Sequence, residues 1–400
     1  MTKEEIAQAI DAQSAENRVA ETLPRDAVER MPVQTGFASI VTGVRRCGKS
    51  TLLAQWAERT RRSYLRVLFD DLRFVNFTTA DFVLLGKIIA ERQPSAIILD
   101  EVQDIEGWEL FVNGLLTQGR QVLVTGSNAK MLSLDLGTKL TGRHLDLRMG
   151  PFTYSEFLRF TRQADSQEAL RDYLVAGGFP SYLPMRNRLV LESLFNDIIY
   201  RDIVARYKLT NATPIRQLAA YLLQHIGTRL SPSRLKEAIH VASAKTVLDY
   251  FGYLTECCLL ERLECFSESP KSRMLAQKKV YACDTGLVGV FERDPSGNVG
   301  HKLENLVYRV LRERGGDLTY FDSSAGECDF VRQSPLETEV VQVCWEVTDE
   351  NREREIGGLV SALDRFGLSD GAIVTFSQED ETVVGGHVVR FVPFAEWCCA

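Results

Sequence analysis

Eight consecutive residues, Gly43-Val44-Arg45-Arg46-Cys47-Gly48-Lys49-Ser50, satisfy the pattern G-x4-G-K-[ST]. Glycines at its first and sixth positions let the backbone turn so that successive N–H groups face an anion. The lysine offers a point charge to β- and γ-phosphates, and the serine hydroxyl is a magnesium ligand. The loop from Gly43 through Thr51 is therefore expected to bind a nucleotide, with Lys49 on the phosphates and Ser50 on Mg2+. Arg45 and Arg46 add positive charge near the phosphates, and their side chains are expected to meet other protein groups. Cys47, a thiol at a helix amino terminus beside a lysine, reads either as an alkylatable nucleophile or as a quiet small residue.

A second motif completes the chemistry. The apolar run Ile97-Ile98-Leu99 leads into Asp100-Glu101, which places two adjacent carboxylates at the carboxyl edge of a sheet. Asp100 would help to hold magnesium, and Glu101 would orient or deprotonate the attacking water. The run Val124-Thr125-Gly126-Ser127-Asn128 brings small polar groups to the same edge. Asn128 suits either a hydrogen bond to water or γ-phosphate, or a turn. Arg143 follows Leu140-Thr141-Gly142, where a helix ends and a strand begins. No N-K-x-D string is present to read guanine, so the acid pair points to ATP.

These residues need a scaffold, and the hydrophobic pattern supplies one. Strands are predicted at Phe37–Val41, Tyr64–Phe69, Ala96–Leu99, Gln121–Thr125 and His144–Leu147. Helices are predicted at 50–61, 81–91, 108–117 and 129–140. Short apolar strands without polar alternation, separated by helices, imply a parallel sheet covered on both faces. Residues 3–30 read as a polar helical appendage ahead of it. After Gly150-Pro151 the texture is helical: 154–162, 167–176, a break at Gly177-Gly178-Phe179-Pro180, then 189–207 and a series from Thr213. Helices at 231–240 and 243–259 and a turn-rich stretch at 267–279 resemble a helix-turn-helix with a wing. Strands return after Val299, behind a helix at 303–314.

Seven strings carry a resemblance: GVRRCGKSTLL (Gly43–Leu53), IILDEVQ (Ile97–Gln103), TGSNAKML (Thr125–Leu132), LTGR (Leu140–Arg143), FTYSEF (Phe152–Phe157), GGFP (Gly177–Pro180) and YRDIVARY (Tyr200–Tyr207). From Gly36 onward the chain resembles bacterial and archaeal AAA-type ATPases with a winged helix and a carboxy-terminal nuclease-like domain. The resemblance implies an α/β P-loop NTPase core with a parallel sheet, then a helical lid, a winged helix and a smaller restriction-endonuclease-like α/β domain. Its implied boundaries are 1–30 for the appendage, 31–150 for the core, 151–210 for the lid, 211–298 for the winged helix and 299–400 for the nuclease-like domain. It further implies that Asn128 acts as a first sensor and that Arg143 acts as an arginine finger on a neighbour's ATP in a homo-oligomer. Arg201 is the candidate for a second sensor.

The carboxy-terminal half carries weaker chemistry. Arg229, Arg234, Lys236, Lys245, Lys271, Arg273, Lys278 and Lys279 are candidate contacts to double-stranded DNA phosphates. Leu248, Phe251, Leu254 and Cys258 have the spacing of a core face. The nuclease-like domain has Glu304 in its first helix and Glu327 and Asp329 before a strand. Gln342 and Cys344 stand where metal-dependent cleavage requires an acid and a lysine. A neutral amide and a thiol are poor magnesium chemistry, so this domain is expected to bind or assemble rather than cut.

Composition bounds the alternatives. The chain has 400 residues, enough for two or three domains, and 47 basic against 54 acidic side chains give a net charge of −7. Nucleic-acid binding would thus depend on a local patch. Nine cysteines, two adjacent pairs and five scattered, form no metal-ligand spacing and fit reduced thiols, and no apolar run spans a bilayer, so a cytoplasmic chain without membrane partners is expected. The sequence predicts Mg2+-dependent ATP hydrolysis coupled to movement of the carboxy-terminal domains. A slow nucleotide-gated switch is the alternative, and an ATP-gated nuclease a third reading.

Overall fold

The computed structural model describes residues 1–16, 22–127, 142–292 and 298–399. The chain divides into two compact units. The first comprises Met1–Pro151 with Glu256–Cys258, and the second Phe152–Thr255 with Leu259–Ala400.

The first unit is built on five strands: β1 (Ala38–Thr42), β2 (Tyr64–Leu68), β3 (Ala96–Asp100), β4 (Gln121–Gly126) and β5 (His144–Arg148). They lie in the order β2-β3-β4-β1-β5, and every pairing is parallel. All five residues of β1 and of β3 are buried, as expected for strands covered on both faces. Helices α2 (Lys49–Arg59), α3 (Phe82–Arg92) and α4 (Trp108–Thr117) form connections between them. Because β4 lies between β1 and β3, the loops after these three strands meet at one edge, where α/β sheets bind ligands. The helix expected at 129–140 falls outside the described residues.

The appendage expected ahead of the first strand is corrected by its packing. Helix α1 (Lys3–Glu16) buries Ile6, Ala9 and Ile10 in one core cluster with Leu65, Val67, Leu85 and Leu99. Gln13 on the same helix accepts from the Leu68 N–H and donates to its carbonyl, both at 2.9 Å. Its short apolar set reads as a polar helical appendage in sequence because the receiving face lies tens of residues away.

The second unit starts with helices Tyr154–Thr161 and Gln167–Ala176. Arg188–Asp197 then runs into a π-helical stretch, Ile198–Ala205, where one continuous helix was expected. The GGFP break is a close-packing device. Gly177 has φ +67°, and a Cβ there would lie 1.9 Å from an Asp284 carboxylate oxygen. Buried Asp284 accepts the Gly178 N–H at 2.7 Å and pairs with Arg309.

An eight-stranded mixed sheet dominates this unit. It comprises β6 (Leu260–Cys265), β7 (Lys279–Ala282), β8 (Asp317–Ser323), β9 (Gly326–Gln333), β10 (Thr338–Val343), β11 (Asp370–Thr375), β12 (Asp380–Val384) and β13 (His387–Pro393). The order is β12-β13-β11-β10-β9-β8-β6-β7. Thus β6 and β7 flank the expected wing, and β6 pairs in parallel with β8 further along the chain. The wing stretch itself contains a short helix, Pro270–Leu275. Glu327 and Asp329 lie within β9 rather than before it. Phe251, Leu254 and Cys258 are buried as their spacing predicted, whereas Leu248 is half exposed.

Candidate nucleotide site

The phosphate loop leaves β1 at Thr42 and enters α2 at Lys49. Both glycines are enforced sterically: a Cβ on Gly43 would lie 2.1 Å from the Met149 carbonyl oxygen, and Gly48 sits at φ +102° with a Cβ position 2.9 Å from an Arg25 nitrogen. Val44 is buried. Arg45 ion-pairs with Asp70 at 3.4 Å, and Arg46 is exposed with φ +63°. Thr51 occupies the first turn of α2, whose amino-terminal N–H groups face the loop. Cys47 is fully buried and its thiol donates toward the Met149 carbonyl at 3.6 Å. Of the two readings of Cys47, that burial favours the quiet small residue.

Two residues that sequence reasoning missed brace this loop and Asp100. Arg25, buried, donates to the Cys47 carbonyl at 2.6 Å and to the Gly150 carbonyl at 2.9 Å. Arg66 of β2 donates twice to one oxygen of Asp100, at 3.0 and 2.6 Å. Arg25 has no sequence signal. Arg66 has a faint one: it is the single charge in the run Tyr64–Leu68.

Asp100 ends β3 with no exposed surface. Its other oxygen accepts from the Ser50 hydroxyl at 2.9 Å and from the Thr125 hydroxyl at 2.6 Å. The pair assigned to magnesium, Ser50 and Asp100, is thus in direct contact. Thr125 also accepts the Glu101 N–H at 2.9 Å, so β4 ties both acids together.

Glu101 adopts φ +55°, a left-handed conformation that is strained for a residue with a Cβ. Its carboxylate lies 3.3 Å from the Lys49 ammonium and accepts from the Gln103 amide at 2.8 Å. Burial pushes the Glu101 carboxyl up, but Lys49 and Gln103 outweigh it and hold the group below its ordinary value. Burial likewise lowers Lys49, and Glu101 outweighs it, so the lysine is held above its ordinary value. Lys49 also donates to the Gly43 and Val44 carbonyls at 3.1 and 3.3 Å. The ammonium therefore rests inside its own loop, neutralised by the acid next to it.

The donor set fits a phosphate and a hard cation. The Gly43 cradle would be filled by any Cβ, and Ser50 and Asp100 supply adjacent oxygens of the kind magnesium prefers. Gln103 Oε1 and Ser127 Oγ are buried at this edge with no hydrogen-bond partner among the described residues. Asn128 lies outside the described residues. Arg143 is exposed, and its carbonyl accepts the Ala38 N–H at 3.0 Å, at the amino ends of β1 and β5. The five residues of β1 separate it from its own phosphate loop, about 16 Å of extended chain. It does not reach that loop. Arg201 is exposed on the π-helical stretch of the second unit.

Residues 36–158 match the family model described as an AAA domain, and residues 167–296 match one described as a domain of unknown function. An uncharacterized protein of Methanocaldococcus jannaschii is 28% identical over 389 residues, covering 90% of this chain and 87% of that protein. An uncharacterized protein of Haemophilus influenzae is 26% identical over 386 residues, covering 90% of this chain and 94% of that one. Among solved structures, Cdc6p from Pyrobaculum aerophilum aligns with a TM-score of 0.30 and 12% identity over 75% of this chain and 98% of that chain. The AAA-domain match supports an AAA-type P-loop affiliation for the first unit.

Proposed function

We propose that the first unit binds ATP with magnesium and hydrolyses it, and that nucleotide state is coupled to the second unit. The observation that carries this reading is the contact of Ser50 with Asp100 beside the Lys49–Glu101 pair, at the end of a glycine-enforced loop. Lys49 would leave Glu101 for the β- and γ-phosphates as ATP enters. Glu101, relieved of its counter-charge, would become a stronger base and orient the attacking water. A magnesium ion held by Ser50 and Asp100 would neutralise charge on the transferring phosphoryl group. Arg66 and Thr125 fix Asp100 while this happens.

An arginine supplied by a neighbouring subunit suits the exposed Arg143, and such residues are worth on the order of three to five decades in rate. Asn128 belongs to the same proposal as a ligand of water or γ-phosphate.

The test is steady-state phosphate release with a fluorescent-nucleotide titration. Lys49→Ala is expected to weaken binding about 10- to 100-fold, the worth of one charge-assisted contact. Glu101→Gln is expected to keep the affinity and lose about two to four decades of turnover. Equal turnover in all three proteins contradicts the reading. A nucleotide-gated switch would instead retain its biological output in the glutamine variant.

A further inference from the structure

Metal-dependent phosphodiester cleavage on a nuclease-like fold needs carboxylates around a cation and a lysine with a donor to spare. The carboxylates exist in the second unit. Glu304 projects from helix Val299–Arg314, and Glu327 and Asp329 sit two apart on β9 and so share a face. Lys279, the first residue of β7, enters the middle of this group and is 3% exposed. Its ammonium lies 2.7 Å from Glu327, 2.8 Å from Asp329 and 3.0 Å from Glu304.

An ammonium has three N–H donors: Lys279 donates to Glu304 and Asp329 and is ion-paired with Glu327. Tyr281, two residues on and on the same face of β7, donates to the same Glu304 oxygen at 2.7 Å. Backbone pairing of residues 227–230 with β7 brings in Arg229, which donates to Glu327 and pairs with Asp322 at 2.8 Å. The remaining oxygen of Asp329 accepts the Val343 N–H at 3.0 Å. Gln342 accepts the Asp329 N–H at 3.1 Å and donates to Glu355 at 2.7 Å. Among the described residues no group of three histidine, cysteine, aspartate or glutamate side chains is arranged to hold a metal ion. The metal implied by a nuclease-like fold does not fit here.

We infer that Lys279 is the resident cation of this cluster: its ammonium stands where a divalent ion would stand and closes the second unit to metal-dependent phosphodiester cleavage. The inference is independent of the reading of the first unit. It removes Lys279 from the candidate DNA contacts, since an ammonium buried among three carboxylates presents no surface to a phosphate. It also separates Lys279 from a catalytic lysine, which must turn a donor toward substrate. Burial holds Glu304 up at about 7 against the pull of Lys279, with Asp329 adding to the rise.

The test is Mn2+ binding by electron paramagnetic resonance on nucleotide-free protein, with plasmid cleavage assayed in Mg2+ and in Mn2+. Wild type and Asp329→Asn are expected to bind Mn2+ equally, and neither should cleave DNA. Lys279→Met is expected to gain a site at least tenfold tighter than any in wild type, and adding Asp329→Asn should abolish it. A wild-type Mn2+ site lost in Asp329→Asn overturns the inference, as does wild-type cleavage lost in Asp329→Asn. If Lys279→Met does not fold, the comparison of wild type with Asp329→Asn decides the matter alone.

Discussion

Glu101 combines backbone strain with the role proposed for it. A left-handed glutamate costs roughly 1–2 kcal/mol relative to glycine, and here it aims a carboxylate at Lys49. Glu101→Gly is therefore expected to be as stable as Glu101→Gln, or more stable by up to about 1 kcal/mol after the chain-entropy cost of glycine. Urea unfolding of the two variants measures this; a glycine variant weaker by more than about 1 kcal/mol would show that the conformation is unstrained. The motif residues were legible in sequence because each is chosen by chemistry that a spacing exposes. Arg25 and Arg66 were not, because their partners, the Cys47 carbonyl and the Asp100 carboxylate, are neighbours only after the sheet assembles.

Strand β2 contributes more than packing. The register pairs Arg66 with Ile98 and Leu68 with Asp100, so the long arginine side chain runs about two residues along the strand to reach the acid. Removing one partner of such a buried pair leaves an uncompensated charge and costs about 3–5 kcal/mol. Arg66→Ala should lower the melting temperature, and millimolar Mg2+ should restore more of it in the variant than in wild type. Equal Mg2+ effects in both proteins would mean that Arg66 does not compete for Asp100. In the second unit the comparable element is helix Val299–Arg314, where Glu304 faces Lys279 and Tyr281 of β7 and Asp329 of β9. Its carboxyl is raised by burial from its ordinary 4.5 to about 7, so the folded state binds a proton that the unfolded chain releases. That contribution is present below about pH 4.5 and is lost as pH rises through about 7. Glu304→Gln should therefore flatten the fall in stability between these values, as pH-dependent thermal denaturation would show; an unchanged slope contradicts the assignment. The strands and helices of the first unit were readable from apolar runs of fixed period. The join of β6 to β8 was not, because a parallel pairing across some fifty residues leaves no local pattern.

The net charge of −7 takes on structure once the two units are separated. Lys279 is held by buried carboxylates and Arg229 by ion pairs with Asp322 and Glu327, which leaves Arg234, Lys236, Lys245, Lys271, Arg273 and Lys278 for any partner. No helix among the described residues is long and apolar enough to cross a membrane. Arg143, exposed and remote from its own loop, makes assembly testable. If it completes a neighbour's site, Arg143→Ala and Glu101→Gln subunits should each be inactive alone and recover turnover on mixing, because a mixed interface restores one intact site. Failure to recover, with native mass showing mixed oligomers, would place Arg143 outside the reaction. The most direct measurement remains single-turnover release of phosphate from ATP and Mg2+, with bound nucleotide quantified in the same samples. Wild type should bind ATP and release phosphate, while Glu101→Gln should bind it as tightly and release phosphate at least a hundredfold more slowly. A glutamine variant that hydrolyses at the wild-type rate, or a wild type that binds no nucleotide, would contradict the assignment of Gly43–Thr51 and Asp100-Glu101 as an ATPase centre.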